Sequence, residues 1–382
     1  MKKNDLVTDT GKARKRSFMT LTDIFSKNSI LKRYYFKTII VIGIVWTCFD
    51  YTRFLTLAFT EKTEEYPFAQ TEQSIFFLRL ILGLIAYCAM AYLLIFPLRD
   101  KLRKYPLWLN FLLKTIILCA AAALYAVISF YIIYIFVYGK NPLAASENLY
   151  YYAFQTTWLL NFVESRLLLY VITLLILEIN EKYSPGVFTD IFLGKYLNPK
   201  EEKRIILFID LKDSTPIAEK LGHKKYFFFI RDFIHHISLA LLEYDGLIYQ
   251  YVGDEIIVSW VSTKGNKNKC IQSVVRARRI IQKASAYYTR VYGMVPEYRI
   301  GVHLGFVTVG EIGIVKKDLT MSGDAMNTTA RIRTMTGELN QKFVGSADFV
   351  KGVGLKDSQI ESVGMIDLKG KEQSLELFAI KI

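Results

Sequence analysis

Four long apolar stretches dominate the first half of the chain, at roughly 39–59, 74–96, 109–137 and 157–177. A helix over any of them is long enough to cross about 30 Å of hydrocarbon, so the pattern predicts four transmembrane helices. The connecting segments alternate in sign: EKTEEYPFAQTEQ is acidic, RDKLRKYPLW is basic and YGKNPLAASENLYYY is nearly neutral. The chain opens on a basic segment, MKKNDLVTDTGKARKRSF, too polar for the core of a signal peptide. That charge bias places both ends on the cytoplasmic side. After residue 180 the periodicity changes. A strand is expected at 205–210, a helix at 224–243, a hairpin at 247–260 and a helix at 267–289. Strands follow at 297–304 and 306–312, then a helix from about Asn327 and short strands at 362–368 and 374–380. Such alternation of helices, strands and hairpins indicates an α/β sandwich of ferredoxin-like type. The expected organisation is a cytoplasmic basic segment (1–37), a four-helix transmembrane bundle (38–179), a linker (180–203) and a soluble domain (204–382). Pro185, Gly186, Gly194 and Pro199 break the linker.

Composition supports a membrane protein, with 52% hydrophobic and 14% aromatic residues. A net charge of +14 would point to nucleic acid in a soluble protein. Here part of it marks cytoplasmic segments beside membrane helices, and the basic run RARRIIQK reads as a solvated helix face, so no nucleic-acid partner is expected. Cys48, Cys88, Cys119 and Cys270 have no CxxC spacing and read as small core residues. All four histidines follow residue 220, which leaves none in the membrane region to ligate a haem.

Charges interrupt the apolar stretches: Asp50 and Arg53 in the first, Arg79 in the second, Glu164 and Arg166 in the fourth. Asp50 and Arg53, three apart, share a helix face. Lipid does not tolerate such groups, so they face one another or a cavity. Two readings stand: an ion-pair network that fixes helix packing, and a polar pocket for an external ligand. Buried pairs often serve structure alone.

The chemistry gathers in the soluble half. RIILFIDLKDST is an apolar run ending in Asp210, with Lys212 to Thr215 supplying a turn and a helix cap. LIYQYVGDEIIV places Gly253 and Asp254 between two strand-like runs, a strong hairpin signal. If the strands are neighbours, Asp210 and Asp254 lie side by side and repel each other unless a cation sits between them. Hard oxygen ligands favour Mg²⁺ or Mn²⁺ arriving with nucleotide phosphates. Farther on, Asn327 and Arg331 are four apart and share a helix face, an amide and a guanidinium suited to charge growing on phosphate and ribose oxygens.

These stretches resemble class III nucleotidyl cyclases, the adenylyl and guanylyl cyclase family. The resemblance covers about 200–382 and rests on FIDLKDST, YQYVGDEIIV, VHLGFVTVGEIG, SGDAMNTTAR and DLKGKEQSLELF in the family's order. It implies that Asp210 and Asp254, with the backbone carbonyl of Leu211, bind two metal ions. It also implies that Asn327 orients the ribose, that Arg331 stabilises the transition state, and that Lys371, or Lys369, binds phosphate. Family sites form between two head-to-tail subunits, so the resemblance implies a homodimer; four crossings, an even number, place its catalytic domain on the cytoplasmic side of the inner membrane.

Gln250 stands where adenylyl cyclases commonly carry a lysine, and Thr320 at the second purine-reading position. An amide and a hydroxyl each donate or accept, so the pair separates ATP from GTP less sharply than Lys with Asp would. Threonine at the second position recurs in bacterial adenylyl cyclases, and the guanylyl pattern of Glu with Cys is absent. The expected activity is ATP to 3′,5′-cyclic AMP and pyrophosphate. The alternatives are a guanylate or dual-specificity cyclase and a receptor with a degenerate nucleotide-binding domain. YVGDE also looks like part of a diguanylate cyclase hairpin, but Val252 departs from that pattern.

Overall fold

The computed structural model describes residues 30–59, 73–182, 186–315, 317–367 and 374–381. The chain divides into two compact units, one built on Lys32–Lys182 and the other on Tyr183–Ile382.

The first unit is helical: α1 (Ile30–Phe59), α2 (Gln73–Leu93), α3 (Arg99–Leu102), α4 (Leu107–Phe136), α5 (Pro142–Tyr150) and α6 (Trp158–Asn180). Between α2 and α3 a π turn, Leu94–Leu98, contains Pro97, whose missing N–H cannot continue the regular ladder. Tyr34–Thr56, Phe77–Leu102 and Leu107–Phe136 are long and apolar enough to cross a membrane. The segment expected as a fourth crossing folds as α6 but is not among these three, and it carries Glu164 and Arg166. Trp46 is buried against the rings of Tyr170 and Tyr87 and donates from Nε1 to Thr173 Oγ1 at 3.0 Å.

The five charges do not all pair with one another. Arg166, 2% exposed, pairs with Asp50 and donates from Nε to the Tyr87 hydroxyl at 3.0 Å. Arg53 donates to the Asn161 carbonyl at 3.0 Å, and Arg79 lies over the Phe54 ring. Glu164 is exposed. The Asp50–Arg166 pair joins α1 to α6.

The second unit begins with α7 (Val187–Phe192) and β1 (Lys200–Leu211), followed by α8 (Ser214–Leu221) and α9 (His223–Glu243). Next come β2 (Leu247–Val252), β3 (Glu255–Val261), α10 (Lys269–Lys283), α11 (Ser285–Tyr292), β4 (Tyr298–Ile312) and β5 (Asp318–Ser322). The domain closes with α12 (Asp324–Glu338), β6 (Phe343–Ser346), α13 (Ala347–Val353), β7 (Ile360–Ile366) and β8 (Leu375–Ile380). The sheet order is β2-β3-β1-β4-β6-β8-β7, with β5 paired to β4 alone. Its β2-β3-β1-β4 part is antiparallel throughout, the arrangement expected of a ferredoxin-like sandwich. β6 then pairs with β4 in parallel and makes the sheet mixed.

Side chains on β1 alternate between two cores. Ile205, Leu207, Ile209 and Leu211 pack with Phe229 and Phe233 of α9 and Val274 of α10. Ile206 and Phe208 face a smaller cluster with Val307, Met321 and Ala325. His236 and His303 are buried and hydrogen-bonded to Tyr288 and Ser346, so both serve the core.

Several elements differ from the sequence reading. The two strands expected at 297–304 and 306–312 are one strand, β4, running through Gly305. The helix expected at 267–289 breaks at Ala284 into α10 and α11. Asp213 adopts a left-handed conformation (φ 56°) and its side chain makes no capping bond. β5, β6 and α13 were not foreseen; β6 has four residues, too few for a period to be read.

Candidate active site

Asp210 is an even-numbered position of β1, on the same side as Ile206 and Phe208, and emerges beneath α12. Of the two hairpin strands it is β3, not β2, that pairs with β1: Ile209 pairs with Ile256, so the turn bearing Asp254 lies against the end of β1. Gly253 opens that turn at φ +63°, a conformation suited to glycine. The two acids interact electrostatically. Burial raises the Asp210 carboxyl above its usual range and Asp254 raises it further, while the Arg333 and Arg299 guanidiniums oppose the rise. Glu255 is also shifted up, first by burial, with Arg333 opposing.

Asp254 Oδ2 is buried and has no hydrogen-bond partner. An orphaned anionic oxygen beside a second carboxylate fits a hard divalent cation, which would satisfy it. Among the described residues no group of three or more His, Cys, Asp and Glu side chains could hold a metal. Two carboxylates leave most of a Mg²⁺ or Mn²⁺ shell to backbone, phosphate or water oxygens. Leu211 follows Asp210 with its side chain in the core, which leaves only its backbone to join such a shell.

Two residues escaped the sequence reading, Arg333 and Arg299. Arg333 places Nη1 3.3 Å from Asp210 Oδ2 and donates from Nε to Glu255 Oε1 at 2.7 Å. Arg299 lies directly opposite Asp210 in the β1–β4 register. Neither had a local sequence signal: Arg299 comes beside the acid only through the β1–β4 register, and Arg333 reaches it from α12.

Asn327 is exposed and Arg331 half-buried on α12. Among the described residues neither bonds to Asp210 or Asp254 of the same chain. Gln250 is exposed on the edge strand β2, and Thr320 is half-buried on β5; no hydrogen bond joins them. Lys369 and Lys371 lie outside the described residues.

Residues 198–381 match the adenylate and guanylate cyclase catalytic domain. The C-terminal domain belongs to the class III nucleotidyl cyclase family. The chain is 30% identical over 207 residues to adenylate cyclase 2 of Rhizobium meliloti strain 1021, which covers 54% of this chain and 57% of that protein. It is 24% identical over 216 residues to an adenylate cyclase of Anabaena cylindrica, covering 53% and 42%. The chain thus matches less than two thirds of the length of each relative. Among solved structures, the cyclase domain is similar to the adenylyl cyclase CyaB from P. aeruginosa, with a TM-score of 0.42, 20% identity, and 48% of this chain and 96% of that chain covered.

Proposed function

We propose that this chain is a membrane-anchored adenylate cyclase that converts ATP to 3′,5′-cyclic AMP and pyrophosphate at a site shared by two copies of the chain. The observation that carries the reading is the convergence of Asp210 and Asp254 at the end of β1, with the buried Asp254 Oδ2 lacking any donor. Asp210, Asp254 and the Leu211 carbonyl would hold two Mg²⁺ or Mn²⁺ ions. Such ions, when bound, activate a hydroxyl and neutralise phosphate charge.

The chain's own groups do the rest. Asn327 holds the ribose so that its 3′ oxygen faces the α-phosphorus, a positioning effect. The 3′ oxygen bonds to that phosphorus as the bond to the β-phosphate oxygen breaks; pyrophosphate leaves and the hydroxyl proton passes to solvent. Arg331 stabilises the charge growing on the α-phosphoryl oxygens, and Arg299, opposite Asp210, adds positive charge where the triphosphate lies. Lys371 would bind phosphate as well. Asn327 and Arg331 bond to neither acid in their own chain, which supports their serving the acids of a second subunit in a closed, two-site dimer. Gln250 and Thr320 read the purine. The adenylate cyclase names of the relatives favour ATP. Three apolar helices support a membrane anchor; with α6 as a fourth crossing, the cyclase domain lies on the same side as the basic N-terminal segment, in the cytoplasm where ATP is. The lipid bilayer is then a partner.

The test is product analysis. The purified full chain with Mn²⁺ is expected to form cyclic AMP from ATP in preference to cyclic GMP from GTP, and Asp254→Ala to abolish both. Preferential cyclic GMP formation overturns the substrate, and undiminished turnover in Asp254→Ala overturns the site.

A further inference from the structure

Arg333 follows Arg331 by two positions on α12, so at about 100° per residue the two guanidiniums leave the helix on roughly opposite sides. Arg331 makes no bond to its own chain's acids, whereas Arg333 reaches both Asp210 at the end of β1 and Glu255 at the start of β3. One planar group therefore ties together the two strands whose ends carry the candidate metal acids. Its helix is seated closely: a Cβ on Gly301 would lie 2.7 Å from Arg333 Cα, and Ile332 and Thr336 are buried.

We propose that Arg333 is a positioning residue for the metal site. By occupying Oδ2 of Asp210 it leaves Oδ1 as the oxygen free for a cation, and by holding Glu255 it fixes the turn that presents Asp254. The inference rests on Asp210 and Asp254 being the metal acids. A carboxylate free to rotate offers its oxygens in many directions, while one held through a single oxygen offers the other in one direction. Partners that orient a ligand in this way typically account for about 10–100-fold in metal affinity. The guanidinium charge acts the other way, repelling a cation. Glu255, bonded to the same group at 2.7 Å, offsets that charge, so orientation prevails.

The experiment is Mn²⁺ binding by electron paramagnetic resonance on the full chain in lipid nanodiscs. 3′-Deoxy-ATP is present; it lacks the hydroxyl needed to cyclise, so turnover plays no part. Arg333→Gln is expected to weaken Mn²⁺ binding about 10-fold or more. In the double variant Arg333→Gln, Glu255→Gln both charges are gone, so the thermal unfolding midpoint returns close to wild type. Its Mn²⁺ binding is expected to stay weak, because Asp210 is still unheld. Wild-type affinity in Arg333→Gln overturns the proposal, as does tighter binding, which would mark a competing cation. Full recovery of Mn²⁺ affinity in the double variant overturns it too, reducing Arg333 to neutralising Glu255. If Arg333→Gln alone does not fold, the double variant decides by the same affinity. Asp254→Asn separates the two levels: undiminished Mn²⁺ binding there overturns the metal reading itself. Loss there with wild-type binding in Arg333→Gln overturns only the role of Arg333.

Discussion

Asp210 is an acid held under opposing influences. Burial and Asp254 push its carboxyl upward, Arg333 and Arg299 pull it down, and burial prevails. With the folded value raised, the native domain binds more protons than the unfolded chain just above the ordinary carboxylate range, so the contribution of this group to stability falls as pH rises through that interval. A cation needs the ionised form. The acid limb of kcat/KM, which reports the free enzyme, is therefore expected above about pH 4, the usual carboxylate region. Raising Mn²⁺ should move it to lower pH, because metal and proton compete for the same oxygens. A pH profile at two Mn²⁺ concentrations checks this; a limb that does not move assigns the titration elsewhere. Both acids were legible in the sequence because each ends an apolar run. Arg333 was not: no local motif marks it on its helix, and only the fold carries it to Asp210 at the end of β1.

At the scale of elements, α12 is the part that organises the site. It presents Asn327 and Arg331 on one side and Arg333 on another, and it can do so because it lies directly on β4 at Gly301. A side chain at 301 would meet the backbone of Arg333, which cannot move without shifting the helix. Gly301→Val is accordingly expected to cost about 1–3 kcal/mol, as overpacking does. Cyclase activity should fall further than the stability change accounts for, since all three side chains ride on the displaced helix. Denaturant unfolding together with steady-state rates measures both. The helix was expected, but its contact with β4 was not, since packing between elements is not written in either one, and the sequence reading also broke β4 in two at Gly305. The strand is continuous because Leu304 and Val307 each remain in a core on either side of that glycine.

For the whole molecule, Asn327 and Arg331 bond to neither acid of their own chain among the described residues, and the proposed dimer is testable by mixing. Asp254→Ala and Asn327→Ala are each expected to be inactive alone. Co-assembled in equal amounts they should recover about a quarter of wild-type activity: half the dimers are mixed, and each mixed dimer has one intact site. Recovery is read from cyclic AMP formation after co-expression; none would place all the groups within one chain. The membrane unit was legible as apolar length, and three of the four expected spans meet that criterion. Its charges were not: Asp50 is three residues from Arg53, yet its partner is Arg166, more than a hundred residues away. Helix spacing predicts neighbours along one helix, and packing brings in neighbours from another.

The sequence by itself determined the apolar helices, the α/β character of the second half with its β2–β3 hairpin, and the choice of Asp210, Asp254, Asn327 and Arg331 as candidates. These are local properties, carried by periodicity, turn chemistry and short motifs. Tertiary structure decided that β3 and not β2 lies beside β1, that Asp254 Oδ2 is left without a donor, and that Arg333 and Arg299 close on Asp210. Those are long-range facts: strand register and helix seating depend on which side chains fill the space between elements, and no stretch of chain contains that information alone.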